Sequence, residues 1–437
     1  MRYRTTVIGS GYLGITHAAC MAELGHDVLA LDVDADKVRR LNDGELPIHE
    51  EGLGELLRRG LAAGKLRFTT SYREAADFGD VHFLCLGTPQ RADGYAADVS
   101  QLDAAVDALA PHLTRTCLVV GKSTVPVGTA ERLAGRLQGL APAGDRADLA
   151  WNPEFLREGF AVADTLTPDR VVLGVRTPYA ERVLRAFYGP LGEVPVVVTD
   201  FATAELVKVA ANAFLATKIS YINAMAEVCE AAGADVVRLA EALAHDDRIG
   251  GRFLSAGLGF GGGCLPKDIR AFMARAGELG AGEALSFLRE IDAINLRRRD
   301  RVVELARDLL GGSFDGRAVA VLGAAFKPDS DDIRDSPALH VAREIQQRGG
   351  LVSVYDPVAL DNARKAYPEL GFATSATEAA RGARVVLLLT EWQEFVRLDP
   401  AELGAVVAGR GIVDGRNVLD PAAWRRAGWQ YRAPGRP

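Results

Sequence analysis

The chain has 437 residues, which is enough for two or three domains, and its composition of 48% hydrophobic and 25% charged residues is that of an ordinary globular protein. A net charge of −7 and the lack of any long basic stretch argue against nucleic-acid binding. The arginines at 297–299 and 425–426 are interpreted as solvated helix faces.

The five cysteines are odd in number, widely spaced and without a CxxC pair, which favours reduced thiols over disulfides or a zinc site. No metal is therefore expected. Cys20, Cys85, Cys117 and Cys229 lie among apolar residues and are predicted to be core thiols, whereas Cys264 has glycine-rich and charged neighbours.

The first ten residues already read as a strand and its turn, so no secretory signal is predicted. No apolar stretch approaches the ~20 residues that span a bilayer. We expect a cytoplasmic protein with no membrane partner.

The N-terminal part alternates short apolar strands with helices. Strands are predicted at 5–8, 28–31, 81–86, 118–121 and 171–174, which indicates a doubly wound parallel sheet to about residue 200. Residues 202–232 contain neither proline nor glycine and predict one long helix, and helices continue to about 310. Further strands at 318–322, 352–355, 385–389 and 412–414 predict a second α/β domain. The fold class is therefore α/β, with two Rossmann-like doubly wound parallel-sheet domains joined by a long central helix.

Gly9, Gly11 and Gly14 form a GxGxxG turn between the first strand and the first helix, and Asp32 ends the second strand. This arrangement predicts dinucleotide binding, with pyrophosphate at the helix N-terminus and ribose hydroxyls on Asp32. Acidic neighbours disfavour a 2′-phosphate, so NAD is preferred over NADP. Lys37 covers the ribose edge or is an ordinary surface lysine.

Two loops, 86–89 and 122–129, each follow a strand and are interpreted either as lining the cofactor cleft or as simple turns. Glu154 and Glu158 are four residues apart and would share one face if that segment were helical; the alternative is a helix start with ordinary surface acids. Lys208 and Asn212 are also four apart within an apolar stretch. A desolvated lysine beside an amide could clamp a hydroxyl or a developing oxyanion.

Two cationic strand-end loops lie in the C-terminal part. Lys327 and Arg334 follow its first strand, in the phosphate-loop position of a second nucleotide site, and Arg416 follows a later strand. Together they suit a diphosphate; capped loops with surface charges are the alternative.

Cys264 lies in a glycine-rich run, with Lys267 and Asp268 close behind it. Glycines would let the backbone pack closely against a ligand, and nearby positive charge favours the thiolate. A dehydrogenase with a reactive thiol could trap an aldehyde covalently and oxidise it again to an acid.

Six ordered motifs, at 9–14, 122–128, 152–159, 205–212, around Cys264 and at 326–334, make the chain resemble the UDP-glucose/GDP-mannose 6-dehydrogenase family over nearly its whole length, and the UDP-glucose branch most closely. The resemblance implies an NAD domain at 1–200, a central helical dimerisation domain at 201–312 and a nucleotide-sugar domain at 313–437. It also implies a homodimer and a four-electron oxidation of the substrate's C6 alcohol to a carboxylate, using two NAD molecules in succession.

The resemblance further implies a set of site residues. Cys264 would be the nucleophile, Lys208 and Asn212 would hold the C6 oxygen, Asp268 and Thr124 would order a water, Glu154 would be the acid/base, and Glu158 would lie by the nicotinamide. The implied NAD contacts are Gly9, Gly11, Tyr12, Leu13, Gly14, Asp32, Lys37, Thr88, Pro89, Ser123, Thr124, Glu158, Lys267 and Arg334. The implied substrate contacts are Glu154, Phe155, Leu156, Lys208, Asn212, Phe253, Ser255, Gly257, Phe260, Gly261, Phe326, Lys327, Arg416 and Arg248, which would reach a neighbouring subunit's site.

Other functions stay open. GDP-mannose, TDP-glucose or a UDP-N-acetyl sugar could be the substrate, and Leu265 is the residue that the GDP-mannose branch often has after the cysteine. A two-electron β-hydroxyacid dehydrogenase would need neither Cys264 nor a second α/β domain. A non-catalytic NAD-binding protein should have lost at least one of the candidate catalytic residues, and all are present.

Overall fold

The computed structural model describes residues 2–437, and among these no helix is both long and apolar enough to cross a lipid bilayer. The chain divides into two units: residues up to 211 with 270–280, and residues 212–269 with 281–437.

The first unit contains an eight-stranded sheet flanked by helices. Its strand order is β3-β2-β1-β4-β5-β6-β7-β8, and all neighbouring pairs are parallel except β6 with β7. The strands are β1 Arg4–Ile8, β2 Asp27–Leu31, β3 Leu66–Thr69, β4 Val81–Leu84, β5 Cys117–Gly121, β6 Ala147–Trp151, β7 Val171–Gly174 and β8 Val196–Thr199. The helices are α1 Tyr12–Glu23, α2 Ala35–Asn42, α3 Leu53–Ala62, α4 Tyr72–Phe78, α5 Ser100–Leu109, α6 Thr129–Leu140, α7 Ala161–Leu166 and α8 Pro178–Tyr188.

Both faces of this sheet are buried. Val7 belongs to one apolar core cluster and its neighbour Ile8 to another, because successive side chains of a strand point to opposite faces. The central strands β4 and β5 are buried at every position, as expected for a parallel sheet covered by helices on both sides. The carboxyl ends of β1 and β4, where the strand order reverses, form the usual binding edge of such a sheet.

Helices dominate the middle of the chain. They are α9 Phe201–Ala232, α10 Val236–Ala244, α11 Leu265–Glu278 and α12 Phe287–Leu309. The prediction of one long helix at 202–232 is confirmed.

The second unit contains a six-stranded, wholly parallel sheet in the order β11-β10-β9-β12-β13-β14. Its strands are β9 Ala318–Leu322, β10 Leu351–Tyr355, β11 Gly371–Phe372, β12 Val385–Leu388, β13 Gly411–Asp414 and β14 Gln430–Arg432. Its helices are α13 Pro337–Gln347, α14 Leu360–Ala366, α15 Ala376–Ala380, α16 Gln393–Val396, α17 Pro400–Gly404 and α18 Pro421–Arg426. The predicted fold class is confirmed.

The arginine run at 297–299 is not a solvated face. Arg298 is 1% exposed and its guanidinium lies 3.3 Å from Glu230, while Arg299 is 2% exposed and pairs with Asp335 at 2.9 Å. The prediction of a solvated face is therefore wrong for Arg298 and Arg299. Both side chains are buried where α12 packs against the protein, and the carboxylates of Glu230 and Asp335 compensate their charge. The prediction is confirmed for Arg297 and for the arginines at 425–426, which are exposed.

The start of α6 is held by a buried carboxylate from α9. The Glu205 carboxylate, 2% exposed, accepts the N–H groups of Gly128 at 2.7 Å and Ala130 at 2.6 Å. Burial raises the pKa of Glu205 to about 7, against 4.5 for an ordinary glutamate. The folded state therefore holds this proton more tightly than the unfolded chain does.

The raised pKa of Glu205 predicts a pH-dependent stability. The contribution from this group is full below about pH 4.5 and is lost as the pH rises through about 7, by about 3 kcal/mol. Glutamine does not titrate, so only the wild type should lose this contribution at high pH. We therefore expect the difference in Tm between the wild type and Glu205→Gln (wild type minus variant) to be several degrees larger at pH 5 than at pH 8. Scanning calorimetry at both pH values measures this. Glu131→Gln, which changes an exposed acid in the first turn of α6, is the control. An equal Tm difference at both pH values would contradict the assignment.

Candidate active site

The glycine-rich turn after β1 is closely packed at two positions and open at the third. Gly9 has a φ of +96°, and a Cβ on Gly14 would lie 1.8 Å from the Gly9 carbonyl oxygen. A Cβ on Gly11 would meet no described atom within 4 Å, although Gly11 is the residue before α1. The turn thus leaves open space where the free N–H groups of the helix begin.

Asp32, just after β2, is a buried acceptor. Its carboxylate receives the N–H groups of Ser10 at 2.8 Å and Asp34 at 3.1 Å, and the Lys37 ammonium at 3.0 Å. Burial alone would raise the pKa of Asp32, but these hydrogen bonds outweigh it and lower the pKa. The carboxylate is therefore ionised at neutral pH.

NAD fits these residues. Gly11 leaves room for a pyrophosphate at the start of α1, and the ionised Asp32 suits ribose hydroxyls while repelling a 2′-phosphate. When bound, NAD would supply a hydride acceptor.

The loops after β4 and β5 are hydrogen-bonded to each other. The Thr88 hydroxyl donates to the Thr124 carbonyl at 2.7 Å, and the Ser123 hydroxyl both accepts from the Leu86 N–H at 3.0 Å and donates to its carbonyl at 2.7 Å. Four predicted cofactor contacts, Thr88, Pro89, Ser123 and Thr124, thus lie on two joined loops at the carboxyl ends of neighbouring strands.

Residues 152–159 follow β6 without forming a helix, so helical spacing does not place their two carboxylates on one face. Glu154 instead pairs with Lys208, whose ammonium lies 3.1 Å from its Oε1. Both side chains are largely buried, with 6% of Lys208 and 14% of Glu154 exposed. The Lys208 ammonium also lies 5.5 Å from the ring centroid of Phe155. The prediction of a desolvated lysine is confirmed, together with a partner that the sequence did not indicate.

The N-terminal end of this segment is fixed by a buried network. Asn152 accepts hydrogen bonds at its Oδ1 from the Lys122 ammonium, at 2.9 Å, and from the Tyr188 hydroxyl, and donates to the Val172 carbonyl at 2.8 Å. Burial lowers the pKa of Lys122. Sequence reasoning gave Lys122 no role, although a lysine immediately after a fully buried strand was a usable signal.

In the second unit, Cys264 immediately precedes α11 and is exposed, whereas Cys20, Cys85, Cys117 and Cys229 are buried. Burial raises the pKa of Cys85 to about 12 and of Cys117 to about 11, so these thiols stay protonated and unreactive. The prediction of four core thiols is confirmed, and the structure adds that the fifth thiol, Cys264, is exposed.

Three predicted site residues meet at the start of α11. The Asp268 carboxylate, 2% exposed, accepts from the Asn212 amide at 2.6 Å and from the Lys267 ammonium. Lys267 and Asp268 lie in the first turn of α11 after Cys264, and Asn212 reaches them from α9, so that the buried carboxylate is both hydrogen-bonded and charge-compensated.

The glycines before Cys264 pack against the protein itself. The sequence interpretation was that they let the backbone approach a ligand, but five of them lie where a Cβ would collide with the chain. The colliding groups are the Gly415 carbonyl for Gly257, Asn295 for Gly259, the Asp335 carbonyl for Gly261, the Phe326 ring for Gly262 and the Arg334 guanidinium for Gly263. The loop is therefore built into the second unit.

Asn295 holds this loop and was missed. The Phe260 N–H donates to the Asn295 Oδ1 at 2.7 Å, and the Asn295 Nδ2 donates back to the Phe260 carbonyl at 3.0 Å. Asn295 is fully buried, and the amide pairs with the loop backbone as a neighbouring strand would. Asn295 lies two residues before the arginines at 297–299, which were predicted to be solvated. Nothing in the sequence therefore distinguished Asn295 from a surface residue.

Arg416 joins three backbone segments. Its guanidinium donates to the carbonyls of Leu389 at 2.8 Å, Gly259 at 3.0 Å and Phe326 at 3.1 Å, and it pairs with Glu391 at 3.1 Å. The diphosphate contact predicted for Arg416 would be made by a guanidinium that already has these contacts within the protein.

The backbone of the loop after β9 is hydrogen-bonded within the protein. The N–H groups of Ala324 and Ala325 donate to the Asp356 Oδ2 at 2.8 and 3.0 Å, and Asp356 is fully buried. Two donors at the phosphate-loop position are thus already used within the protein. A diphosphate there would depend on side chains such as Lys327.

The remaining predicted residues lie near the surface or in the loops described above. Arg248 is exposed and pairs with Asp246 at 2.6 Å, and Arg334 pairs with Asp332 at the same distance. Phe253 is 38% exposed and has a φ of +66°.

Three family models match consecutive parts of the chain. They are the NAD binding domain, the central domain and the UDP binding domain of the UDP-glucose/GDP-mannose dehydrogenase family, over residues 3–192, 202–297 and 320–421 respectively.

Full-length relatives agree. The chain is 43% identical over 438 residues to UDP-glucose 6-dehydrogenase AglM of Haloferax volcanii, covering 98% of this chain and 99% of that protein. It is 39% identical over 434 residues to a UDP-glucose 6-dehydrogenase of Rickettsia conorii, with the same coverages.

Among solved structures, a UDP-glucose dehydrogenase from Pyrobaculum islandicum matches with a TM-score of 0.92 and 37% identity, over 100% of this chain and 98% of that one. A UDP-D-ManNAc dehydrogenase from Pyrococcus horikoshii matches with a TM-score of 0.87 and 27% identity, over 100% and 99%. The chain thus belongs to the UDP-glucose/GDP-mannose dehydrogenase family and is an NAD-dependent nucleotide-sugar dehydrogenase.

Proposed function

We propose that this chain oxidises UDP-glucose at C6 to UDP-glucuronate in two successive two-electron steps. The observation that carries the two-step chemistry is Cys264, the exposed thiol one turn before the buried Asp268 carboxylate, which Asn212 and Lys267 contact. The substrate assignment is supported by the UDP binding domain model and by relatives named UDP-glucose 6-dehydrogenase.

In the first step, the C6 alcohol loses a hydride and a proton and becomes an aldehyde. Lys208 and Asn212, four residues apart on α9, hold the C6 oxygen as negative charge builds on it. Lys208 suits this role because it is desolvated, so that its ammonium acts in a medium of low dielectric constant. NAD contacts follow the predicted set around the glycine-rich turn and the loops after β4 and β5, with Glu158 beside the nicotinamide.

In the second step, the Cys264 thiolate adds to the aldehyde carbon and the carbonyl oxygen gains a proton, which gives a thiohemiacetal. Loss of a second hydride and of that proton leaves a thioester. A water ordered by Asp268 and Thr124 adds to the thioester carbon, Glu154 takes one proton of the water, and the C–S bond breaks to release the thiolate and the carboxylic acid, which loses the second proton to solvent.

A UDP-N-acetyl sugar is the second candidate for the nucleotide-sugar substrate. The similarity to the UDP-D-ManNAc dehydrogenase favours it, at lower identity than to the UDP-glucose enzyme. GDP-mannose and TDP-glucose are further substrates to compare. In each case the diphosphate and sugar would lie against the loop 255–261 with Phe326, Lys327 and Arg416.

We also propose the three-part division into residues 1–200, 201–312 and 313–437, and a homodimer formed through the central part. Phe214, Tyr221 and Val228 recur every seven residues along α9 and are 66%, 49% and 57% exposed. A stripe of large apolar side chains on one helix face is typical of an interface with a second copy. Lys218 on the same helix donates to the Ile249 carbonyl at 3.0 Å, beside Arg248, which would reach the partner subunit's site.

The first prediction of the proposed function concerns stoichiometry and substrate. We expect two NADH per UDP-glucose consumed, because the alcohol is taken to the acid, and slow reaction with GDP-mannose, TDP-glucose and UDP-N-acetylglucosamine. Absorbance of NADH with product analysis by chromatography measures both. One NADH per sugar would overturn the mechanism, and preference for another sugar would overturn the substrate.

The second prediction concerns the nucleophile. We expect Cys264→Ser to lower steady-state turnover by at least about a thousandfold, since the thioester cannot form. Single-turnover kinetics should still detect the first hydride transfer. Cys229→Ala, which changes a buried thiol of the same unit, is the matched control and should turn over normally. Undiminished turnover in Cys264→Ser would exclude a covalent role.

The third prediction concerns assembly. We expect Tyr221→Glu to shift the mass measured by light scattering from a dimer to the 46.6 kDa monomer, because it places a charge in the centre of the stripe. Leu351→Glu, at an exposed apolar residue of β10, should leave the mass unchanged. A dimer that survives Tyr221→Glu would place the interface elsewhere.

A further inference from the structure

Glu50 is a buried carboxylate that sequence reasoning did not single out. It lies in the irregular segment before α3 and is 6% exposed. Its Oε2 accepts the Gly159 N–H at 2.7 Å and the Tyr12 hydroxyl, and its Oε1 accepts the Ala161 N–H at 2.7 Å. A single side chain thus satisfies three donors from two distant parts of the first unit.

The arrangement requires a carboxylate. An ionised carboxylate offers acceptors on both oxygens, whereas a glutamine amide has one acceptor oxygen and an NH2 that would face a backbone N–H. Burial, and then the hydrogen bond to Glu50, raise the pKa of Tyr12 far above its ordinary value, so its hydroxyl remains a donor. The Tyr12 oxygen in turn lies 3.1 Å from the Gly159 nitrogen and accepts its N–H as well.

The two parts that Glu50 connects both carry proposed functions. Tyr12 is the first residue of α1, directly after the glycine-rich turn, and Gly159 ends the segment that carries Glu154 and Glu158. This segment has no regular structure, and its other end is fixed at Asn152. The placement of Glu154 therefore depends on two anchors, one of which is shared with the cofactor turn.

We propose that Glu50 is a positioning residue that fixes the end of the 152–159 segment against the start of α1. NAD affinity and the contribution of Glu154 to turnover then depend on the same buried carboxylate. The second part of this inference rests on the role proposed above for Glu154.

The test is a double-mutant cycle of Glu50→Gln and Glu154→Gln, with two readouts. Calorimetry gives the Kd for NAD in the absence of any sugar, and steady-state kinetics give kcat with whichever nucleotide sugar the wild type oxidises. We expect Glu50→Gln to weaken NAD binding by about threefold or more and to lower kcat about tenfold, as expected for a buried donor left without an acceptor. In the Glu154→Gln background, the same change should lower kcat by less than about twofold.

Glu51→Gln is the matched control, because Glu51 is the exposed neighbour of Glu50, and both readouts should stay at wild-type values. If Glu50→Gln fails to fold, Tyr12→Phe removes one hydroxyl from the same group, and smaller changes in the same direction are expected. An equal loss of kcat in both backgrounds, or an unchanged Kd for NAD, overturns the inference, even if the Tm falls. A wrong sugar assignment would leave the cycle readable, so the two failures are distinguishable.

Discussion

A buried carboxylate that accepts backbone N–H groups is the interaction on which the strand-end loops of this protein depend. Loops carry N–H groups that no strand or helix satisfies, and a buried N–H without an acceptor costs about 1–3 kcal/mol. Glu205 supplies both acceptors at the start of α6, and Asp32 joins two loops by accepting the Ser10 N–H after β1 and the Asp34 N–H after β2. Because each carboxylate oxygen accepts its own donor, the loop can adopt only the conformation that presents both N–H groups. The side chains carried by these loops acquire fixed positions as a result.

An aspartate occupies the same position in both sheets but accepts different hydrogen bonds in each. Asp32 follows the second strand of the first sheet and Asp356 follows the corresponding strand of the second. In the first unit, Asp32 accepts only the Ser10 N–H of the glycine-rich turn, and a Cβ on Gly11, the residue before α1, would meet open space. In the second, the N–H groups of Ala324 and Ala325 are taken up by Asp356. One α/β topology thus gives a dinucleotide site in one case and an internally satisfied loop in the other.

Much of the fold could be predicted from the sequence, because buried parallel strands and the long helix leave continuous apolar patterns. The strands β3, β8, β11 and β14 were missed, since they are short and partly exposed and so carry mixed polarity. The strand β6 was missed as well, although it is fully buried, because its sequence ADLAW contains an aspartate and two alanines instead of a continuous run of large apolar residues. At the site, residue types and spacing identified Cys264, Lys208, Asn212 and Asp268 as candidates. Their partners could not be predicted, because Glu154 meets Lys208 across 54 positions of the chain.

The same limit explains the arginine run. Arg298 and Arg299 look solvated in sequence, and only the fold brings Glu230 and Asp335 to them. A charged residue can be buried wherever a compensating charge is folded against it, and one sequence does not reveal which pairs will form.

The packing of the glycine loop limits how the specificity of this site can vary. Gly257, Gly259 and Gly261 each face backbone or a buried amide, so no side chain can be introduced at these positions without displacing the loop. Gly263 faces only the end of a flexible arginine side chain, and substitution there is limited by Arg334 rather than by the backbone. Under the sugar contact proposed above, divergence toward other sugars would have to proceed through the residues between the glycines and through the rotamer of Arg334, with the path of the loop itself unchanged.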